Sequence, residues 1–404
     1  MHILLIHQAF AALDEPGGTR HHELARYLAR RGHRVTIIAS PVSYLTGAPV
    51  NGRVPFVERR ELEAGITLLR TYVYQAHHKS FTHRLIAFFS FMFSSFVVGL
   101  SVRDVDVVWG TSPPIFQGVT AWALARLKRA RFLFEVRDLW PYFAVAVGVL
   151  TNRTLIRMSE WLERFLYRRA DHLVVNSPGY VAHVRARGGR QVTLIPNGAD
   201  AEMFRPGEDG EAFRRAHGLT APFVAMYAGA HGLSNDLDVL LDAAALLRDE
   251  PLQIVLLGDG KEKPRLKQRA EREGLHNVVF IDPLSKQQMP AALAAADACI
   301  AILKPIEAYK TTYPNKVFDY MAAGRAVVLA IDGVVREVVE AAGGGVFVPP
   351  GDAHALAEAL RQLASQPARC RQMGEAGRRY VEQHFDRAAL AARLADLLET
   401  MWRR

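Results

Sequence analysis

Residues 309–330 read YKTTYPNKVFDYMAAGRAVVLA: a polar loop, a short helix opening at Pro314, a stop at Gly324, and the buried strand Ala326–Ala330. Proline suits the first turn of a helix and glycine the position just past its end. Within the helix Lys316, Asp319 and Tyr320 fall at i, i+3 and i+4 and share one face. A lysine beside a helix N-terminus suits a phosphate, because free backbone N–H groups and the helix dipole favour negative charge there. A carboxylate one turn later can accept hydrogen bonds from both hydroxyls of a ribose. The plainer reading of the same residues is a surface helix with a Lys316–Asp319 ion pair.

The same helix-to-strand pattern extends outward in both directions. Apolar runs at 3–7, 35–39, 66–70, 105–110, 131–136, 172–176 and 192–195 predict a first series of strands. Runs at 223–229, 253–258, 277–281, 298–302, 326–330 and 345–348 predict a second. Helical periods lie between them, as at 20–31, 119–129, 152–169 and 237–248. Such alternation predicts an α/β protein of two tandem Rossmann-like, doubly wound domains, each sheet covered on both faces. A chain of 404 residues fits two domains. The turn-rich stretch 196–206, PNGADAEMFRP, marks the join. The expected domains are 1–203 and 204–384. The segment 380–404 reads as amphipathic helix, with 385–404 packing back on the first domain. Ligands of open α/β sheets bind outside the carboxyl ends of the strands, so the expected site is a cleft which the two sheets face.

Charge is uneven along the chain. Residues 1–200 hold 25 Lys and Arg against 14 Asp and Glu, whereas residues 201–404 hold 25 against 27. The basic half predicts an anionic partner. Nucleic acid is the weakest choice, because the arginines of 120–170 alternate with apolar residues at helical spacing, as on solvated faces. Cys299 and Cys370 match no metal spacing, and the N-terminus MHILLIHQAF lacks a basic leader and cleavage site, so a reducing cytoplasm is expected. Residues 85–102, LIAFFSFMFSSFVVGLSV, carry no charge and are at the lower length limit for a span. A span would separate strands of one alternating pattern, so the expectation is a helix that is partly core and partly membrane-facing.

Three further motifs carry chemistry. Gly17 and Gly18 precede the helix of 20–31, where glycines let backbone amides approach a phosphate. Arg137 and Asp138, in FLFEVRDLWP, stand at a strand's carboxyl end; Asp138 could act as a base or hold an acceptor hydroxyl, and Arg137 could bind an acceptor phosphate. An Arg–Asp pair that only positions the loop is the alternative. Gly229 and Gly232, in YAGAHGLSNDL, repeat the strand–glycine–helix theme in the second domain. No Walker A or GxGxxG sequence is present, which disfavours a nucleoside triphosphatase or a dehydrogenase.

Taken in order, GG…LARYLARRGHRVTII, GTSPP, EVRDLWP, LERFLYRRAD, IPNGAD, YAGAHG, GDG and PNKVFDYMAAGRAVV resemble the retaining glycosyltransferases of family 4, with the GT-B fold. Within that family the chain looks like the bacterial fucosamine (N-acetylfucosaminyl) transferases of surface-polysaccharide assembly. The resemblance implies a nucleotide-sugar donor, usually UDP-linked, with no metal or other cofactor required. It implies that Asp319 binds the ribose, Lys316 and the Gly229–Gly232 loop meet the diphosphate, Gly18 approaches the phosphates, and backbone near Pro283 and Leu284 reads the base. Sugar specificity would rest on a few loop contacts around Tyr309–Thr312, with Lys310 and Thr311 among the donor-binding residues. The chain departs from the family pattern where Ala230 and Asn235 replace a paired Arg and Lys, Thr311 and Asp319 replace two glutamates, and Arg137 replaces a histidine. Phosphate charge then falls to Lys316, with Lys310 and backbone amides. The basic first half and residues 85–102 further predict a lipid-linked or saccharide acceptor at the inner membrane surface. A nucleotide-sugar epimerase and a non-catalytic membrane-associated partner are the competing classes.

Overall fold

The computed structural model describes residues 1–43, 47–75, 81–205 and 209–403, without the side chains of 81 and 82. Residues 206 and 404, the ends of the expected join and terminal helix, lie outside the described residues. The chain divides into two compact units, one formed by Met1–Leu13, Gly17–Pro196 and Ala388–Arg404, the other by Asp14–Pro16 and Asn197–Arg387. The boundary at Pro196/Asn197 precedes the expected 203/204 because the intervening residues are bound to the second unit. Asn197 Nδ2 donates to Tyr313 O at 2.7 Å, Ala199 exchanges backbone hydrogen bonds with Phe385 and Arg387, and Phe204 is buried in that unit's core.

In the first unit the strands are β1 (His2–Ile6), β2 (Arg34–Ala39), β3 (Val57–Glu63), β4 (Ile66–Thr71), β5 (Val107–Ser112), β6 (Arg131–Val136), β7 (His172–Val175) and β8 (Val192–Leu194). They order as β3-β4-β2-β1-β5-β6-β7-β8, and every pair is parallel except β3–β4. Strand β1 is buried along its whole length between β2 and β5, as its unbroken apolar run requires. Strand β3, VERRELE, has no counterpart in the sequence reading. It is an exposed edge strand whose charges hide any apolar alternation and blunt the sheet edge.

The helix Phe81–Ser101 packs on helix Phe116–Lys128 and on β4. Ala87, Phe91, Ser94, Ser95 and Val98 are buried, while Ile86, Phe89, Phe93, Val97 and Leu100 form an exposed apolar stripe. Its serines remain compatible with a helix because Ser94 and Ser95 donate to the carbonyls of Phe91 and Met92 one turn back. By length and composition residues 83–101 could cross a bilayer, and a third of the most apolar window is buried.

In the second unit the strands are β9 (Phe223–Ala228), β10 (Leu252–Leu257), β11 (Val278–Ile281), β12 (Ala298–Ile302), β13 (Ala326–Ala330) and β14 (Gly345–Phe347), all parallel, in the order β11-β10-β9-β12-β13-β14. The expected single helix over 380–404 is two helices, Pro367–His384 and Arg387–Arg403. It breaks at Phe385–Asp386, where the backbone pairs with Ala199 instead of continuing the helix. Leu390, Leu394 and Leu398 of the last helix are buried with Ile3, Leu5 and Trp109 of the first unit. Each such leucine contributes about 2 kcal/mol by burial, which fixes the chain's end on the first unit's core.

Candidate active site

Both sheets reverse their winding at an inner strand pair, β1/β5 in the first unit and β9/β12 in the second. In such sheets the loops leaving those strands at their carboxyl ends form the ligand-binding edge. The functional residues expected from the sequence can be placed against these two edges, each within its own unit.

In the second unit, Asn315–Ala322 is a helix with Pro314 at its N-cap in extended backbone, and the chain leaves it through Gly324 at φ +66°. Its apolar face, Val317, Phe318, Tyr320 and Met321, is buried in the unit's core. The Tyr320 hydroxyl accepts from Ala228 N at 2.8 Å and donates to Ala228 O at 3.0 Å, tying the helix to the end of β9. Lys316 therefore points at the same strand end. Its Nζ lies 3.8 Å from the centroid of the Tyr227 ring and has no hydrogen-bond partner among the described residues. Loss of solvent lowers its ammonium to a pKa of about 7. A side chain at Gly229 would put its Cβ 2.6 Å from Lys316 Nζ, so glycine alone leaves this lysine its place.

Two glycine turns close over one another at this edge. A Cβ on Gly258 would lie 1.9 Å from Gly229 O, and one on Gly260 would lie 2.5 Å from His231 O. His231, absent from the sequence reading, is fully buried in the turn after β9, with neither ring nitrogen hydrogen-bonded among the described residues. Burial, with Lys263 and Lys316 nearby, lowers it to about 4, so the ring is neutral and has one N–H to donate. A lone histidine in an apolar run carries no sequence signal that separates this role from ordinary core packing. Ala230 and Asn235 supply no charge: Ala230 O accepts from Tyr227 Oη at 2.7 Å, and Asn235 closes a short turn onto Gly232.

The remaining expected residues are distributed around this edge. Asp319 does not pair with Lys316, because Lys286 Nζ reaches its Oδ2 at 2.7 Å and Asn315 Nδ2 reaches the same oxygen at 3.1 Å. A ribose bound there would share the carboxylate with Lys286. Lys310 gives its ammonium to Glu307 at 2.8 Å, with Asp332 at 3.9 Å, and its side chain is largely exposed. Thr311 donates to Ala308 O at 2.7 Å, within a turn that Tyr309 anchors by its hydroxyl to Ser234. Pro283 and Leu284 follow β11, two strands from β9, or about 10 Å across the sheet.

In the first unit, helix Arg20–Arg30 begins just after Gly17 and Gly18. A Cβ on Gly17 would lie 2.8 Å from Ala11 Cβ, with φ at +147°, whereas Gly18 has open space about it. The helix start is fixed by a buried network the sequence did not reveal. Glu135 of β6 accepts from Arg20 Nε at 3.1 Å and Trp109 Nε1 at 3.1 Å, and its Oε2 lies 2.7 Å from His21 Nε2. Arg20 also donates to the carbonyls of Ile195 and Pro196, each at 2.8 Å. Burial alone would push the Glu135 carboxyl up, but His21 and Arg20 hold it far below the usual carboxylate range. The only sequence trace of this network is a glutamate in an otherwise apolar strand.

At the carboxyl ends of β1 and β6 Arg137 donates to His7 Nε2 at 3.2 Å, and His7 Nδ1 lies 2.8 Å from Thr111 Oγ1. Beside it, burial pushes the Asp138 carboxyl up to about 7 against the pull of Arg137 and the Leu139 N–H. Asp138 Oδ1 is out of solvent without a partner among the described residues. An acid poised near neutrality at this edge can hold a proton or accept one from a hydroxyl. Among the described residues no three His, Cys, Asp or Glu side chains are grouped to hold a metal ion.

Comparison with known proteins agrees with the two-unit division. Residues 17–198 match the family described as glycosyl transferase 4-like domain, and residues 222–366 match glycosyl transferases group 1. A relative in Escherichia coli K12, carrying the name colanic acid biosynthesis glycosyl transferase WcaI, is 25% identical over 378 residues, 90% of this chain and 91% of that one. The sucrose-phosphate synthase structure from Thermosynechococcus elongatus superposes with a TM-score of 0.78 at 22% identity, covering 100% of this chain and 99% of that one. Anabaena HepE in complex with UDP and glucose gives 0.73 at 18% identity, covering 99% and 100%.

Proposed function

The chain belongs to the group 1 and 4-like glycosyltransferases of GT-B fold, and on that premise we propose that it transfers a sugar from a UDP-linked donor, with retention of anomeric configuration. The acceptor is a lipid-linked or other saccharide of surface-polysaccharide assembly, and the enzyme works on the cytoplasmic face of the inner membrane. The observation that carries this reading is Lys316: a buried, unpartnered ammonium at the winding reversal, beside glycine turns that admit a close approach of backbone. Such a group gains most when an anionic diphosphate arrives. UDP as the nucleotide is supported by its presence in the HepE structure, and polysaccharide assembly by the name of the Escherichia coli relative. The membrane surface is supported by the apolar stripe along Phe81–Ser101.

In the proposed step the acceptor hydroxyl oxygen attacks the anomeric carbon on the face from which the diphosphate departs. The C–O bond to phosphate breaks as the new glycosidic bond forms, and the acceptor proton passes to a leaving phosphate oxygen. No enzyme base is then required, which suits Arg137 in place of a histidine. Lys316 stabilises the charge of the departing UDP, with the Gly229–Gly232 backbone and the His231 N–H beside it. Asp319 holds the ribose, and Asp138 orients the acceptor hydroxyl.

The test is a screen of UDP-sugars for binding, N-acetylfucosamine-like donors included, followed by turnover of the best with lipid extracts. Acceptor-dependent UDP release, with the donor's anomeric configuration kept in the product by NMR, is the expected result. Conversion of the donor without acceptor would make it an epimerase, and failure to bind any nucleotide sugar would make it a non-catalytic partner.

A further inference from the structure

The first unit carries a hollow that the transfer chemistry leaves unused. It is lined by Trp161, Arg164, Phe165, Arg168, Arg169 and Arg190 and has a volume of about 590 Å³. Four arginines line it, and the acids of the same helix, Arg153–Arg169, pair with just one of them. Glu163 is fully buried and is engaged by Arg187 and His183, each at 2.7 Å. Glu160 reaches only Arg164, at 3.5 Å. Among the described residues Arg168, Arg169 and Arg190 form no ion pair. Gathering four like charges with one carboxylate among them is unfavourable until an anion fills the space. The walls are ordered: Trp161 stacks on Phe165 with centroids 5.5 Å apart, Arg169 lies 5.6 Å over the Phe165 ring, and the Arg168 stem lies so close to Gly188 that a Cβ there would meet it at 2.8 Å.

The surroundings select the kind of anion. Trp161 is 64% and Met158 61% exposed on the same helix. Trp122 of the adjoining helix Phe116–Lys128 meets Phe165 edge-on at 4.9 Å, and that helix exposes Leu127 at 62%. It packs in turn against Phe81–Ser101 and its apolar stripe. Neither of these two helices contains an Asp or Glu. Arginines and tryptophan at the rim of acid-free apolar surface match the headgroup level of an anionic bilayer. A site for a freely soluble phosphate has no need of the exposed apolar rim.

We propose that this hollow is a headgroup site for an anionic phospholipid, its arginines holding the lipid phosphate while Trp161 and Met158 enter the acyl boundary. The inference rests on the membrane-surface part of the function proposed above and adds a defined lipid-phosphate site to it.

The experiment is flotation of the full chain with phosphatidylcholine vesicles, with and without phosphatidylglycerol. Wild type is expected to bind the anionic vesicles at least about tenfold more tightly, since each basic residue near such a surface is worth about 1 kcal/mol. Arg168→Gln with Arg190→Gln should abolish that preference, leaving residual binding to neutral vesicles and calorimetric UDP binding unchanged. A matched loss of charge elsewhere on the unit, Arg30→Gln with Arg53→Gln, should keep the preference. If both pairs lower it equally, diffuse charge replaces the site and the proposal falls. Equal wild-type binding to both vesicles overturns the headgroup site but leaves membrane association standing, and binding to neither overturns both. Capture of soluble glycerol phosphate, lost in the Arg168/Arg190 variant and as tight as vesicle binding, reassigns the hollow to a free anion.

Discussion

Lys316 Nζ stands 3.8 Å from the centroid of the Tyr227 ring, buried and without a hydrogen-bond partner among the described residues. The ring face attracts the cation, but the attraction replaces only part of the lost hydration. The folded pKa of about 7 is thus below the unfolded value. For a lysine this sign means that its stability contribution is fully present only above the unfolded pKa and is lost as pH falls through 7. The fold tolerates that cost at neutral pH, and in the function proposed above an arriving diphosphate offsets it.

Lys316→Ala is accordingly expected to lower kcat by about 10²–10³-fold, the range for losing one preorganised charge-stabilising donor. The melting temperature at pH 7 should stay the same or rise, because the variant no longer buries an ammonium. Steady-state kinetics and a thermal melt read both effects, and wild-type turnover in the variant would sink the assignment.

Donor binding should also take up a proton. At pH 8 a group with a pKa near 7 is mostly neutral, and an arriving diphosphate favours its charged form. Calorimetry of UDP binding at pH 8, in buffers of different ionisation enthalpy, should show close to one proton taken up by wild type and markedly fewer by Lys316→Ala. Equal uptake by the two proteins would assign the proton elsewhere.

The glycine turns allow ligand contact to be separated from fold. Gly232 has φ −107°, and an added Cβ would meet only Asn235 Nδ2, at 3.4 Å. Gly232→Ala should therefore fold with an unchanged melting temperature yet bind UDP about tenfold more weakly, if the loop backs the diphosphate. Gly258→Ala, whose Cβ would lie 1.9 Å from Gly229 O at φ +136°, should lose more than about 3 kcal/mol or fail to fold. Wild-type UDP affinity in Gly232→Ala would remove that loop from the site.

Asp138 gives a prediction of the opposite sign. Its folded pKa of about 7 lies above that of an unfolded aspartate, so the stability it contributes is present at low pH and is lost as pH rises through 7. Asp138→Asn should melt within a degree of wild type near pH 4 and several degrees higher near pH 8. If the carboxylate orients the acceptor hydroxyl, wild-type kcat/KM for acceptor rises through pH 7, while the variant's profile is low and flat. A melting difference that does not change with pH would contradict the burial argument.

How far the sequence could be read depends on where each signal is written. Strands such as β12 and β13 are continuous apolar runs bounded by Gly or polar turns, and their limits match those of the structure. The charged edge strand β3 has no such period, and the break at Phe385–Asp386 is set by Ala199, far away in sequence. The position of Lys316 on its helix face was legible because helix spacing and a local N-terminus suffice to place it. The partner of Asp319 was not, since Lys286 approaches from a different loop. Glu135, Arg20 and Trp109 meet only because β5 and β6 are neighbours and the first turn of the helix after β1 reaches Glu135, a fact of topology that no local pattern encodes.

Tyr320 connects the sheet to the site and supplies the last test. Its hydroxyl satisfies both the N–H and the C=O of Ala228 in a fully buried setting, at 2.8 and 3.0 Å. Tyr320→Phe keeps the ring and its packing but leaves two backbone groups with less than their full complement of partners. A loss of about 1–3 kcal/mol is expected, read as a lower urea midpoint at unchanged m. Because Lys316 lies one turn earlier on the same helix face, relaxation at Ala228 should also shift the ammonium away from the Tyr227 ring. UDP affinity should then fall severalfold even under conditions where the variant is fully folded. A destabilised variant with wild-type affinity would mean that Ala228 is anchored by the sheet alone, and that the position of Lys316 does not depend on Tyr320.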